Sequence, residues 1–186
     1  MNIEDMKKTL KSALKESRYL HSLGVADTAV ILARKFNADT DKAYIAGLLH
    51  DAAREFKNED LIDEAKKRNI AIGEVEAKMP LLLHANIGAV LVGEKYEVTD
   101  KDICRAIETH TVAGQNMTAL QKIIYFADMI EPNRDYPGVD ELREFAKNHT
   151  LDEIMLKALS ESILFVIEKK GLIHPATIVA RNELIG

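Results

Sequence analysis

Apolar residues in this chain recur three and four positions apart and rarely alternate, which marks helices packed through one face rather than strands. With only four prolines and nine glycines to interrupt 186 residues, the pattern predicts an all-α fold, a helical bundle. Val25, Ala29, Leu32 and Phe36 form one stripe, and Ala43, Ala46, Gly47 and His50 form another, on a helix that Asp39 or Thr40 can cap. Further helices are expected over 60–67, 82–95, 100–112, 118–130, 140–147 and 151–170. Thr150-Leu-Asp-Glu153 has the form of a capping box before the last long helix, and Gly171 is the expected left-handed residue that ends it. Two prolines and a glycine make Glu131 to Gly138 a loop. With no repeat, low-complexity tract or linker, residues 1–186 are expected to form a single domain.

Composition removes several functions. A 47% apolar, 30% charged chain is an ordinary globular one rather than a disordered one. A net charge of −5 and a pI near 5.7 provide no basic footprint for a long nucleic acid, although a local cationic pocket remains compatible with a small anion. The single cysteine, Cys104, lies among apolar residues and reads as a small core side chain. The N-terminus lacks the apolar segment of a secretion signal, and the longest apolar runs, such as Ile163 to Ile167, are too short for a membrane span. The expectation is a cytoplasmic protein.

The histidines need more explanation. His21 shares the face of Val25, Leu32 and Phe36; His50 ends an apolar run; His110 follows Ile103, Ala106 and Ile107 at helical spacing. Imidazoles so placed need partners. Asp51 adjoins His50, and Asp128 sits inside the apolar run Ile123-Ile-Tyr-Phe-Ala-Asp-Met-Ile130, where a lone carboxylate would cost several kcal/mol. Histidine nitrogen with carboxylate oxygen suits a transition metal with open positions, whereas calcium wants mostly oxygen and structural zinc usually cysteine. His149, near a helix C-terminus, and His174, in a terminal loop, read more simply as structural.

The order His21, His50-Asp51, Asp128 resembles the HD-domain metal-dependent phosphohydrolases. His84 and His110 between them are similar to the subgroup with two metals. Leu48-Leu-His-Asp-Ala-Ala-Arg54, Leu83-His-Ala-Asn-Ile-Gly88, Ala106-Ile-Glu-Thr-His-Thr111 and Tyr125 to Arg134, followed by Asp135-Tyr-Pro-Gly-Val139, narrow the resemblance to the YqeK family of bacterial symmetrical bis(5′-nucleosyl)-tetraphosphatases, over about Tyr19 to Glu183. That resemblance implies an HD-type core at about 17–132, with C-terminal helices and a nucleotide-contacting tail at 133–186. It also implies iron, as a dinuclear centre, with manganese or another divalent ion as alternatives, and cleavage of diadenosine tetraphosphate into two ADP. Carried over, His21, His50, Asp51 and Asp128 hold one metal, and His84 and His110 with a bridging Asp51 hold the second.

The resemblance further implies substrate contacts at His21, His84, His110, Thr111, Asp128 and Arg134, and at the nucleoside segment Gly171, Leu172, Ile173, His174, Pro175 and Ala176; Gly24, one turn from His21, reads equally as room for a phosphate or ribose and as simple helix packing. Asp51, His84, His110 and Arg134 are the expected catalytic set. The nucleophile is expected to be a hydroxide bridging two metals, which polarise the phosphoryl group whose phosphorus it attacks. Arg134, on a proline-bounded loop, is the first candidate for gripping phosphate with its planar fork, and Arg54 the second. Neighbouring helical residues diverge by about 100°. For His50 and Asp51 to serve one metal, their helix should therefore end or bend nearby, at an exposed or slightly distorted end. Neither a Walker loop nor a dinucleotide fingerprint occurs. Two rivals stay open: a nucleoside mono- or triphosphate phosphohydrolase, and a non-catalytic nucleotide-binding module. The expected partners are a small nucleotide and its ADP product, with no long nucleic acid and no membrane. Helix faces can pack within one chain or against a second copy, so a homodimer is open as well.

Overall fold

The structure, a computed structural model, describes residues 1–185, and its described residues contain helices and no strands. Eleven α-helices follow in order: α1 (Ile3–Ala13), α2 (Glu16–Lys35), α3 (Thr40–Leu49), α4 (Leu61–Lys67), α5 (Glu74–Lys78), α6 (Leu83–Tyr96), α7 (Lys101–Thr109), α8 (Ala119–Ile130), α9 (Val139–Asn148), α10 (Leu151–Glu168) and α11 (Pro175–Glu183). Short 3-10 turns at Ala52–Glu55 and Pro80–Leu82 precede α4 and α6. The all-α expectation holds. One apolar cluster runs from Met6 through Ile107, Phe126 and Leu159 to Ala180.

α2 packs along α3 and α8, α7 packs against α3, α6 and α8, and α10 closes over α8 and α11. The α2–α3 crossing is unusually close: a Cβ on Gly47 would stand 2.8 Å from Ala26 Cα, so only glycine lets these backbones touch. That approach brings His21 and His50 together. Helix starts follow their sequence signals. Asp39 caps α3 with bonds from the Asp41 and Lys42 amides, and Thr150 with Glu153 forms the expected capping box. Thr118 with Gln121 forms a second box that was not anticipated.

Three expectations need correction. The left-handed residue ending α10 is Lys170, at φ 54°, and not Gly171. Lys170 N–H bonds Ile167 O, and Gly171 N–H reaches back to Val166 O, so the glycine sits one place beyond the left-handed position of a Schellman end. α7 stops at Thr109 rather than 112, leaving His110 as its cap. His174 is not in a loose terminal loop but N-caps α11, with Pro175 in the first turn that tolerates a missing N–H. α1, whose Met6 and Leu10 are buried, and the exposed α5 also lay outside the helices read from the sequence. No helix among the described residues is long and apolar enough to cross a membrane.

Candidate metal centre

The cluster forms where helices end. α3 terminates at Leu49, so His50 is its C-cap and Asp51 opens the following 3-10 turn. This is the break the adjacent pair requires, although it is a buried end and not an exposed one. His110 caps α7, His84 lies in the first turn of α6, and Asp128 lies in the last turn of α8. Only His21 projects from within a helix, α2. The C-terminal ends of α3, α7 and α8 add partial negative charge to a site that already holds carboxylates.

Hydrogen bonds fix which nitrogen each ring presents. His50 Nδ1 donates to Gly47 O at 2.7 Å, His110 Nδ1 to Ile107 O at 2.7 Å, and His84 Nδ1 to Leu81 O. A carbonyl only accepts, so these Nδ1 atoms carry the proton and Nε2 offers a lone pair. His21 differs: its Nδ1 meets a carboxylate, Glu131 Oε1, at 3.0 Å.

The Nε2 atoms converge in two halves. His21 and His50 Nε2 are 3.2 Å apart, with Asp128 Oδ1 3.0 Å from His21 and 3.8 Å from His50, and Asp51 Oδ2 3.4 Å from His50. His84 and His110 Nε2 are 3.1 Å apart, with the other Asp51 oxygen, Oδ1, 3.2 Å from His84 and 3.8 Å from His110. Asp51 therefore turns one oxygen to each half. Lone pairs and carboxylate oxygens at such separations repel unless a cation lies among them, so the donor set fits divalent metal ions of the N,O type.

Electrostatics divide the cluster: against burial, the Asp51 and Asp128 carboxylates raise the pKa of His50. Burial would raise Asp51, but His50 and His84 hold its carboxyl well below the usual range. Burial likewise opposes ionisation of Asp128, yet the His21 contact, His50 and Arg134 hold it far below a normal carboxylate. Burial, then its neighbours His50 and His84, push His110 down to about 3, which keeps that ring neutral and able to ligate.

Arginines rim the cluster. Arg134 donates from Nε to Asp128 O and from Nη2 to Asp128 Oδ1, so one edge of its fork is committed to the protein and Nη1 is left for another anion. Arg18, which sequence reasoning missed, donates to Asp51 Oδ2 at 2.8 Å. Arg54 lies near both Asp51 and Arg18; burial and Arg18's charge lower its pKa against the pull of Asp51, and it has no ion-pair partner among the described residues.

Other candidates lie at the margins. Thr111 Oγ1 is buried without a hydrogen-bond partner among the described residues. The space beside Gly24 is filled by protein: a Cβ there would lie 2.4 Å from Glu131 Oε2. Gly171 and Leu172 lie in the turn after α10, and Leu172 is exposed. Ile173 is half-buried, and Pro175 begins α11. Ala176 N–H donates to His174 Nδ1, so His174 Nε2 donates to Glu76 Oε1 at 3.0 Å. Thr177 then bonds Val112 O, which brings this segment beside the His110 side of the cluster. His149 only caps α9, stacked on Phe145. Cys104 donates to Val98 O, and burial pushes its thiol up, as suits an inert side chain.

Glu131, the cap of α8, was read from sequence only as the start of a loop. Its one available signal was a carboxylate directly after an apolar helix carrying Asp128.

The HD domain family matches residues 18–133. A Bacillus subtilis protein named symmetrical bis(5′-nucleosyl)-tetraphosphatase is 39% identical over 100% of this chain and 98% of its own length. A Staphylococcus aureus protein of the same name is 36% identical over 98% of this chain and 94% of its own. A Clostridium acetobutylicum crystal structure, described as that of a predicted HD superfamily hydrolase involved in NAD metabolism, superposes with a TM-score of 0.94 at 43% identity, covering 100% of this chain and 97% of that one.

Proposed function

The chain belongs to the HD-domain family and, within it, to the symmetrical bis(5′-nucleosyl)-tetraphosphatases, and from that premise we propose that it hydrolyses diadenosine tetraphosphate into two ADP at the His/Asp cluster. The observation that carries the reading is Asp51, whose two oxygens face separate histidine pairs. It is a metal-dependent hydrolase of small nucleotides. In this reading His21, His50, Asp51 and Asp128 hold one ion, and Asp51, His84 and His110 the other. When bound, such a pair supplies a Lewis acid for the phosphoryl oxygen and lowers the pKa of water. Iron is our choice of ion and the cytoplasm our choice of compartment, both resting on family resemblance.

The protein's own groups bind and orient. Arg134, through the Nη atom left outside its Asp128 contact, grips phosphate oxygens, with Arg54 and Arg18 as further positive charge on the same rim. The Gly171–Ala176 segment contacts the nucleoside, with Leu172 and Ile173 against the base, and Thr111 offers an unpaired hydroxyl beside His110. Symmetrical cleavage places the second phosphorus from one nucleoside over the cluster. The departing ADP is a stable anion and needs little help from a general acid.

The test is direct. Purified protein is analysed for bound metal, reloaded with iron or manganese, and given diadenosine tetraphosphate with products resolved. ADP as the sole nucleotide is expected. AMP with ATP, or phosphate released from mononucleotides, overturns the reading in favour of another phosphohydrolase; nucleotide binding without turnover under every metal favours a regulatory module.

A further inference from the structure

We infer that Glu131 is the positioning residue for His21, and that it strengthens the His21 half of the centre selectively. His84, His50 and His110 are each aimed by a neutral carbonyl, whereas His21 alone leans on a carboxylate. Glu131 is buried, with 1% of its surface exposed, and no lysine or arginine side chain pairs with its carboxylate among the described residues. A buried anion without a direct counter-ion is costly, so its charge must be balanced through the ring it touches. A carboxylate on Nδ1–H fixes the ring's tautomer and direction, which holds Nε2 toward whatever cation it binds.

Two features are built around this contact. Asn133 donates from its backbone N at 2.8 Å and from Nδ2 at 3.0 Å to Glu131 Oε2, while Oε1 serves His21. Both oxygens must accept, and an amide has only one that can. Gly24, one turn along α2 from His21, leaves the room that Glu131 Oε2 occupies. Its role is therefore to admit the carboxylate rather than a phosphate.

The inference rests on the metal-centre reading, and the experiment keeps the two apart. Manganese-loaded protein is titrated with a chelator, and each ion's release is followed. Wild type that retains no manganese overturns the centre itself. With wild type retaining two ions, Glu131→Gln should weaken one of them by about 10- to 100-fold and leave the other unchanged. Equal weakening of both, or of neither, overturns the assignment.

Gly24→Ala provides an independent route. Alanine has the higher helix propensity at such a site, so the variant should fold, yet its Cβ displaces Glu131. It should reproduce the one-ion defect and add nothing further when combined with Glu131→Ala, because the group it displaces is already gone. Additive losses would show that Gly24 acts by another path and would overturn this account of its role. Asn133→Ala should give a smaller defect in the same ion, and weakening of the other ion would count against the inference.

Discussion

Two regions of the candidate metal centre differ in how a ring is aimed: the His84–His110 pair, like His50, by a local carbonyl, and His21 by a distant carboxylate. His84 and His110 take their direction from carbonyls three residues earlier, Leu81 and Ile107, so their geometry is settled within one turn of chain. His21 takes its direction from Glu131, 110 residues away, and meets Asp128 from that same distant helix. In the His84–His110 half each ring's aim is set locally, although α6, α7 and the turn after α3 must still pack to bring the two rings and Asp51 together. The other half exists only once α2 has packed against both α3 and α8, with Gly47 at the α2–α3 contact and Gly24 beside Glu131 at the end of α8.

Asp51 belongs to both halves, so its loss should have the largest effect. Asp51→Asn keeps size and removes the charge that faces both histidine pairs. Activity should fall on the order of 10³-fold or more, beyond the 10- to 100-fold typical of a group that only orients a ligand. Elemental analysis should find both ions depleted. Retention of one ion at full occupancy would show that the halves are independent and that Asp51 serves only one of them.

Single histidine deletions separate the halves. His84→Ala and His21→Ala should each leave about one ion, with activity down by about 10²-fold or more in both. Their stabilities should diverge. His84→Ala orphans a backbone carbonyl, whereas His21→Ala strands the buried Glu131 carboxylate, which costs about 1–3 kcal/mol or more. Thermal unfolding of the metal-free proteins should therefore place His21→Ala several degrees lower. Equal melting temperatures would remove the energetic distinction between the halves.

Arg134 touches only the His21 half, through Asp128. Arg134→Lys keeps the charge but loses the fork, so kcat/KM should fall by about 10²-fold while metal content stays near normal. Loss of metal in this variant would mean that the guanidinium supports Asp128 as a ligand more than it grips substrate.

The same contrast explains what was legible in the sequence. Helical periodicity revealed most of the bundle, and the candidate ligands His21, His50, Asp51, His84, His110 and Asp128 all carry local signs: a histidine or acid on or beside an apolar stripe. The expected break near His50 and Asp51 is present as the end of α3 at Leu49. Arg18 and Glu131 were missed because each gains meaning only from a partner far along the chain, Asp51 for one and His21 for the other. Gly24 was noticed, but its neighbour was not foreseeable, since nothing local says that a carboxylate from the α8 end fills that space. Lys170 illustrates a smaller miss, in which the end of α10 places its left-handed residue one position before the glycine that composition favoured.

The smallest effect probes how far the non-local half depends on the stability of α8. Thr118 caps that helix with Gln121, at the end opposite Asp128 and Glu131. Thr118→Ala should cost about 1 kcal/mol, the usual worth of such a cap. For a chain of this length that is about 2–4 °C in melting temperature. Metal content should not change, because the C-terminal turn of α8 is held separately: Arg143 donates to Ile130 O and Glu131 O, and Tyr136 donates to Met129 O. If the variant instead lost one ion, the one beside His21, fraying from the far end of α8 would be reaching the site. The non-local half would then depend on the whole helix and not on its last turn alone.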